Sequence, residues 1–380
     1  MEKKKILLFT DWYEPGFRAG GPIRSCANFV QQMKDDYHID VFTSDRDLGA
    51  VSAYPEISPD VWQKTGAHTR IYYASPTMLN QKNITRQIRE TRPDYVYLNG
   101  MFSKYFTIYP LLAAHRKKTK AHYVLSPRGM LRASAVKFKA LKKRPFLAVF
   151  RWFGFHKRLQ FLASDETELR DVQLFFGNAV KVVMIPNFAG KLPAAPTELV
   201  KNEGELSLIF IGRIHPIKNL HFLLDILQEV HDKIRLTIIG SLEDQEYWEK
   251  CQRQMKHLPP SITVSYLGEK PNHQLAPIIS QHHIFILPTT GENFGHAILE
   301  AMMLGKPVLV SDQTPWRNLA KAGAGWDISL DDPTGFREAI EKAAQLNQDQ
   351  YNKLVSETYT FAAQQVSDTG ILEKYKTLFS

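Results

Sequence analysis

Cysteine is nearly absent from this chain: 380 residues hold only Cys26 and Cys251, far apart and in no ligand-like spacing. That excludes a disulfide-stapled scaffold and a cysteine-based zinc cluster, and it fits a reducing compartment, so a cytoplasmic location is expected. Long apolar runs are missing too. No uninterrupted stretch approaches the roughly 18 residues that cross a bilayer. The opening Lys3-Lys4-Lys5-Ile6-Leu7-Leu8-Phe9-Thr10-Asp11 has an apolar core of about five residues where a secretory signal needs roughly 7 or more, so it reads as a first strand. Internal repeats and low-complexity tracts are lacking. So are a Gly-x-Gly-x-x-Gly fingerprint and a His/Cys cluster, and with them a dinucleotide or a transition metal as expected cofactor. Hydrophobic residues at 44% and charged residues at 23% describe an ordinary compact globular protein, and 380 residues are enough for two domains, each with its own core.

What the chain does have is unbalanced charge. The net charge of +9 is concentrated in His115, Arg116, Lys117, Lys118 and Lys120, and again in Arg132, Lys137, Lys139, Lys142, Lys143 and Arg144. Polyanions are the expected neighbours. The second group runs into Phe146, Leu147, Val149, Phe150, Trp152, Phe153 and Phe155 before Lys157 and Arg158 restore positive charge. Cations interleaved with aromatics suit an anionic membrane surface, which makes Arg132 to Lys143 a candidate peripheral contact. A helix with its rings in the core and its cations in water fits the same pattern equally well. No recognition motif accompanies the charge, so nucleic acid is not an expected partner.

From residue 5 to about 188 short apolar runs alternate with longer amphipathic ones: Ile6 to Thr10, Ile39 to Thr43, Tyr95 to Leu98, His122 to Ser126, Leu159 to Ala163 and Val182 to Ile185. This is βαβ rhythm and predicts a parallel sheet covered by helices on both faces. A break rich in proline and small residues, 191–205, reads as a linker between a first domain over 1–190 and a second over 206–358. There the rhythm restarts with Leu206 to Ile211, Ile234 to Ile239, Ile262 to Leu267, Ile284 to Leu287 and Val308 to Val310. The last thirty or so residues read as helix, with residues 359–380 expected to pack back on the first domain through Tyr359-Thr360-Phe361 and Tyr375 to Phe379.

The densest chemistry lies in Gly291-Glu292-Asn293-Phe294-Gly295-His296-Ala297-Ile298-Leu299-Glu300. A buried strand ending at Pro288 precedes it and helix formers follow Gly295, so Glu292 falls in a turn and Glu300 on the helix. The amides of Asn293, Phe294 and Gly295 then stand at a helix start, where unpaired N–H groups and the helix dipole favour an anion such as a diphosphate. Both carboxylates sit at the carboxyl end of a strand, where open α/β sheets bind ligands.

The pattern resembles the Glu-x7-Glu signature of the retaining glycosyltransferases of family four, and the resemblance extends through most of the chain. Gly212-Arg213-Ile214-His215-Pro216-Ile217-Lys218-Asn219 resembles that family's Gly-Arg…Lys-Asn segment, and the loop from Asp11 to Ser25, with Gly20 and Gly21, resembles its glycine-rich loop. The resemblance implies an α/β fold of two Rossmann-like domains facing a central cleft (GT-B), with a C-terminal helix crossing back to the first. It implies a metal-independent transfer of a hexose from a nucleotide sugar, which is a substrate rather than a cofactor, to a glycan acceptor, lipid-linked, in surface polysaccharide assembly. Glu292 would position the donor sugar, Glu300 would hold the ribose, and Arg213 and Lys218 would take up leaving-group charge. Gly20, Gly21, Asn293, Phe294 and Gly295 would bind the donor diphosphate or sugar, with the base over Leu267, Gly268 and Lys270. Tyr13, Arg18, Arg24, Asn99 and Arg128 would face the acceptor. Where many relatives have a histidine after the strand ending at Leu98, this chain has Asn99, which donates a hydrogen bond but does not titrate near neutrality. Asp45-Arg46-Asp47 matches an Asp-x-Asp metal pattern, but its distance in sequence from the other motifs favours a solvated loop. A sugar-nucleotide epimerase of the same fold and a non-catalytic sugar-nucleotide-binding partner are the alternatives.

Overall fold

The computed structural model of the chain describes residues 3–115, 120–132, 136, 140–367 and 369–380. It divides into two compact units: Met1–Phe188 together with Thr369–Ser380, and Ala189–Asp368.

The first unit is built on an eight-stranded sheet in the order β3-β4-β2-β1-β5-β6-β7-β8. The strands are β1 (Lys5–Thr10), β2 (His38–Ser44), β3 (Trp62–Lys64), β4 (Thr69–Ala74), β5 (Tyr95–Asn99), β6 (His122–Ser126), β7 (Gln160–Ala163) and β8 (Lys181–Met184). All neighbours run parallel except β3 against β4. Period-two alternation sorts the side chains of β1 into two layers, Leu7 and Phe9 into one core and Ile6 and Leu8 into the other. A strand covered on both faces must be apolar throughout, which is why these runs were readable. β4 was not foreseen because Arg70 interrupts its apolar run. The charge is matched across the sheet: Arg70 is in register with Asp40 of β2, and its Nε and Nη2 donate to the two carboxylate oxygens at 2.8 and 2.6 Å.

The second unit carries a six-stranded, all-parallel sheet in the order β11-β10-β9-β12-β13-β14. Its strands are β9 (Glu205–Ile211), β10 (Lys233–Ile239), β11 (Ile262–Tyr266), β12 (Ile284–Leu287), β13 (Val308–Ser311) and β14 (Gly325–Ile328). This is the doubly wound order, in which the direction of winding reverses between β9 and β12 and leaves a crevice outside their carboxyl ends. The first unit reverses in the same way between β1 and β5. The edge strand β14 escaped the sequence reading because Gly325 and Asp327 look like turn residues. Gly325 is required there: at φ 125° its Cβ would stand 2.0 Å from the Val308 carbonyl oxygen.

Two boundaries differ from expectation. The segment 191–205 is strapped to the second unit rather than free. Thr197 N–H and Oγ1 donate to the Leu304 carbonyl at 3.0 and 2.9 Å. The buried Lys201 ammonium donates to the carbonyls of Asn202, Ala344 and Leu346. Its prolines hold the chain extended, which satisfies a linker's composition and a packed strap alike. At the other end, residue 359 falls inside the helix Gln348–Val366. Tyr359 donates its hydroxyl to the Pro193 carbonyl at 2.6 Å, and Phe361 packs on the core of the second unit. The return to the first unit comes at the helix Thr369–Leu378. There the Tyr375 ring stacks on Phe188 at 4.5 Å, and Phe379, with no exposure, meets Phe29, Tyr95 and Tyr97. Removing a ring from so complete an enclosure costs about 3–5 kcal/mol. Phe379→Ala is expected to lower the urea midpoint of the first unit's unfolding transition, followed by circular dichroism, by that equivalent.

Candidate active site

The loops that follow β9 and β12 meet at the reversal of the second sheet. After β9 the chain makes a short turn, Pro216–Lys218, opened by His215, whose Nδ1 accepts the Ile217 N–H at 3.2 Å, and closed by Asn219 in the left-handed region at φ 59°. Burial lowers the His215 pKa from its ordinary value, which keeps that nitrogen an acceptor. Thr289 Oγ1 and the Thr290 N–H, after β12, donate to the Ile217 carbonyl at 2.9 and 2.8 Å. The two loops are thereby tied together. The Lys218 stem lies along Gly212, where a Cβ would come within 3.3 Å of its Cγ, and its ammonium donates to Glu292 Oε2. The two side chains are 15% and 18% exposed, so the pair is largely shielded yet still open to a ligand.

Glu292 is fixed from its other side by its N–H, which donates to the Gln313 carbonyl at 3.1 Å. Gly295, at φ 75°, turns the chain into the helix His296–Met303. A side chain at that position would strike Ile298, Trp316 and Glu292, at 2.8 to 3.2 Å, so only glycine permits the turn. Trp316 clamps it: the indole Nε1 donates to the Phe294 carbonyl at 2.7 Å and the ring meets Phe294 edge-on. Glu300 lies on the helix, as expected. Trp316 was missed, although its place just beyond the end of β13 was the available signal. Arg213 donates to both carboxylate oxygens of Glu243 at 2.7 and 2.6 Å, with the two side chains 42% and 36% exposed. Leu267 and Gly268 follow β11, with the Gly240 N–H donating to the Gly268 carbonyl at 3.0 Å. Lys270 follows in the same loop. The second-unit residues assigned to the donor therefore share one edge of one sheet.

At the corresponding edge of the first unit lie the residues assigned to the acceptor, together with Gly20 and Gly21, which were assigned to the donor. Gly20, at φ 64°, precedes the helix Gly21–Met33. The loop before it is organised by Asp47, whose Oδ2 accepts the N–H groups of Phe17 and Arg18 at 2.8 and 3.1 Å. Asp45 is buried and paired with Arg46 at 2.8 Å. The Asp-x-Asp segment is therefore not a solvated loop: the Asp47 carboxylate shapes the glycine-rich loop, while that of Asp45 is held by Arg46. Arg24 faces Glu14 at 3.8 Å, and Tyr13 is in the core. Arg128 departs from its expected role. Its guanidinium donates to Asn99 Oδ1 at 2.5 Å, to the Tyr97 hydroxyl at 2.7 Å and to Asn187 Oδ1. Its donors are engaged within the unit, and it holds Asn99 in place rather than presenting a free cation.

Of the basic region, Arg116 to Lys118, Lys137, Lys139 and the Lys142 side chain lie outside the described residues. Arg132 pairs with Asp165 at 3.0 Å.

Residues 193–361 match the family model for glycosyl transferases group 1. The match covers most of the second unit and less than half of the chain. Over 146 residues it is 27% identical to the O-antigen chain mannosyltransferase RfbU of Salmonella typhimurium, a stretch covering 38% of this chain and 40% of that protein. Over 171 residues it is 31% identical to the O-antigen chain mannosyltransferase B of Escherichia coli, covering 41% and 44%. The chain thus matches about two-fifths of the length of these curated relatives. The fold is similar to that of Anabaena HepE in complex with UDP-glucose, with a TM-score of 0.71 over 98% of this chain and 99% of that one at 17% identity. That similarity is one of fold: two Rossmann-like domains of the GT-B class. No helix among the described residues is long and apolar enough to cross a membrane.

The sequence reading gave no role to Asp11, the first residue after β1. Its Oδ1 accepts from Ser103 Oγ at 2.8 Å, and its Oδ2 lies 4.0 Å from the place a Cβ on Gly100 would occupy. Burial pushes its pKa up to about 6, only partly offset by the Ser103 hydrogen bond. A carboxyl whose pKa is raised on folding stabilises the protein at low pH and loses that contribution as pH climbs through the folded-state value. Asp11→Asn is therefore expected to be more stable than the parent at pH 7, by on the order of 2 kcal/mol. The gap should close as pH falls towards 4, as urea titrations at the two pH values would show.

Proposed function

We propose that the chain is a glycosyltransferase that moves a hexose from a nucleoside-diphosphate sugar to a glycan acceptor in surface polysaccharide assembly. The acceptor is lipid-linked, and the protein works from the cytoplasm at the inner face of the membrane. The observation that carries this reading is the Lys218–Glu292 pair, held by two loops at the reversal point of a group 1 glycosyl transferase domain. The O-antigen roles in the names of two relatives and the UDP-glucose bound to HepE support it.

A departing nucleoside diphosphate gains negative charge as its bond to the sugar stretches. A cation fixed beside that oxygen stabilises the transition state more than the ground state. Lys218 supplies this charge with its second and third N–H groups while Glu292 keeps the first, and Arg213 adds to it at the rim. These side chains do what a divalent cation does elsewhere. Glu292 also accepts from sugar hydroxyls, Glu300 holds the ribose, and the amides at the start of His296–Met303 meet the diphosphate. The acceptor hydroxyl adds to the anomeric carbon on the face from which the phosphate leaves, and its proton passes to the departing phosphate oxygen. The anomeric configuration is retained.

A nucleoside diphosphate that binds only the folded state stabilises it by about 2.7 kcal/mol at a hundredfold excess over Kd. Among UDP, GDP and ADP, one should accordingly raise the melting temperature clearly above the others. With the matching sugar nucleotide, Glu292→Ala and Lys218→Ala are each expected to lower kcat by roughly two to three orders of magnitude, with the far-ultraviolet circular dichroism unchanged. Turnover should survive EDTA, and proton NMR should show the donor's anomeric configuration in the product. Near-parental turnover in either variant would overturn the assignment.

A further inference from the structure

The helix Ala140–Trp152 is apolar on two opposite sides. Its inner side is ordinary: Leu147 and Phe150 are buried, Phe146 meets Phe102 edge-on at 5.1 Å, and Phe150 packs against Phe155 and Phe176. At 3.6 residues per turn, Leu141, Pro145, Ala148 and Trp152 fall on one line along the other side. All four are exposed, Leu141 by 94% and Trp152 by 82%, and Val149 and Phe153 beside them are 49% and 42% exposed. The aromatic-rich segment is thus divided between core and surface. A surface helix normally turns a polar side to water, and a contiguous exposed apolar strip marks a contact with another apolar phase.

The charge around the strip identifies that phase. Residues 95–164 contain fifteen lysines and arginines and not one aspartate or glutamate, in a chain whose net charge is only +9. Arg144 and Arg151 flank the strip on the helix, and Lys157 and Arg158 follow it, all exposed. A second copy of this chain would bring like charges face to face. A bilayer with anionic headgroups presents negative charge outside and hydrocarbon beneath, and tryptophan prefers the boundary between them. The helix also lies beside the acceptor end of the first sheet: Lys143 Nζ stands 5.1 Å from the centre of the Phe102 ring, three residues after the end of β5.

We propose that the outer side of Ala140–Trp152 is a membrane-docking surface, inserting Leu141, Trp152 and Phe153 at the headgroup boundary while Arg144, Arg151, Lys157 and Arg158 meet anionic lipid. It deepens the reading of a lipid-linked acceptor, but its own evidence is the exposed strip and its charge.

The full-length protein should co-float with phosphatidylcholine vesicles that contain phosphatidylglycerol and far less with phosphatidylcholine alone. Leu141→Ser/Trp152→Ser should weaken partitioning by at least roughly tenfold with an unchanged melting temperature, since both side chains are exposed. Arg144→Gln/Arg151→Gln should weaken it at low salt, with the difference shrinking at high salt. Trp152→Phe should keep most of the binding but remove most of the blue shift of fluorescence seen on adding vesicles. Equal flotation of the parent and the Ser double variant, no flotation of the parent, or a dimer in sedimentation that the Ser double variant dissolves would each overturn the proposal. Flotation is measured without sugar nucleotide and Glu292→Ala should float like the parent, so failure here is separable from failure of the transferase reading.

Discussion

A lysine and a glutamate that face each other where a sheet changes its direction of winding are the constraint around which the second unit is arranged. Lys218 and Glu292 are 74 residues apart in sequence, and three features bring them together: the reversal between β9 and β12, the two threonines that grip the Ile217 carbonyl, and glycines at 212 and 295 that leave room. Shielding such a pair from water is costly unless each partner is matched. In the proposed transferase the carboxylate is therefore also a placeholder, since it keeps the ammonium aimed at the site until a phosphate comes to share it.

The first unit shows the same economy with buried charge. Asp47 collects two backbone N–H groups and so sets the shape of a glycine-rich loop, while Arg128 gathers Asn99, Asn187 and Tyr97 into one network beneath the end of β5. Neither side chain behaves as its exposed counterpart would. Polar groups enclosed in this way resist rearrangement because every lost partner leaves a desolvated charge, and they give the loops at this edge a rigidity that small residues such as Gly16, Gly20 and Gly21 do not supply.

The legibility of the sequence followed from burial. Strands covered on both faces, such as β1, β5, β9 and β12, had to be unbroken apolar runs and were evident. β4 and β14 were hidden, one by Arg70, whose partner Asp40 is recognisable only once the register is known, and the other by a glycine demanded by close approach to Val308. The motif residues at strand ends were readable because ligand sites of doubly wound sheets collect there. The residues that hold them were not: Trp316, Glu243, Asp47 and Asn187 act through contacts between distant segments that leave no periodic trace. Arg128 was misread for the same reason, a cation at a strand end whose partners come from two other segments, β5 and the loop at Asn187. Tyr359 was assigned to the wrong core because a continuous helix gives no sign of which body its turns belong to.

The order in which the chain visits its two bodies has a consequence for biogenesis. The first unit is left at Phe188 and resumed only at Thr369, so the rings of Tyr375 and Phe379 that close its interior emerge from the ribosome only after the whole of the second unit. A nascent chain must hold a half-finished sheet, greasy on the side that awaits this closing helix, throughout the synthesis of everything in between. The intervening body, continuous in sequence, is free to mature on its own during that wait. Translation that halts before Thr369 would therefore release a sound second unit joined to a first that never seals.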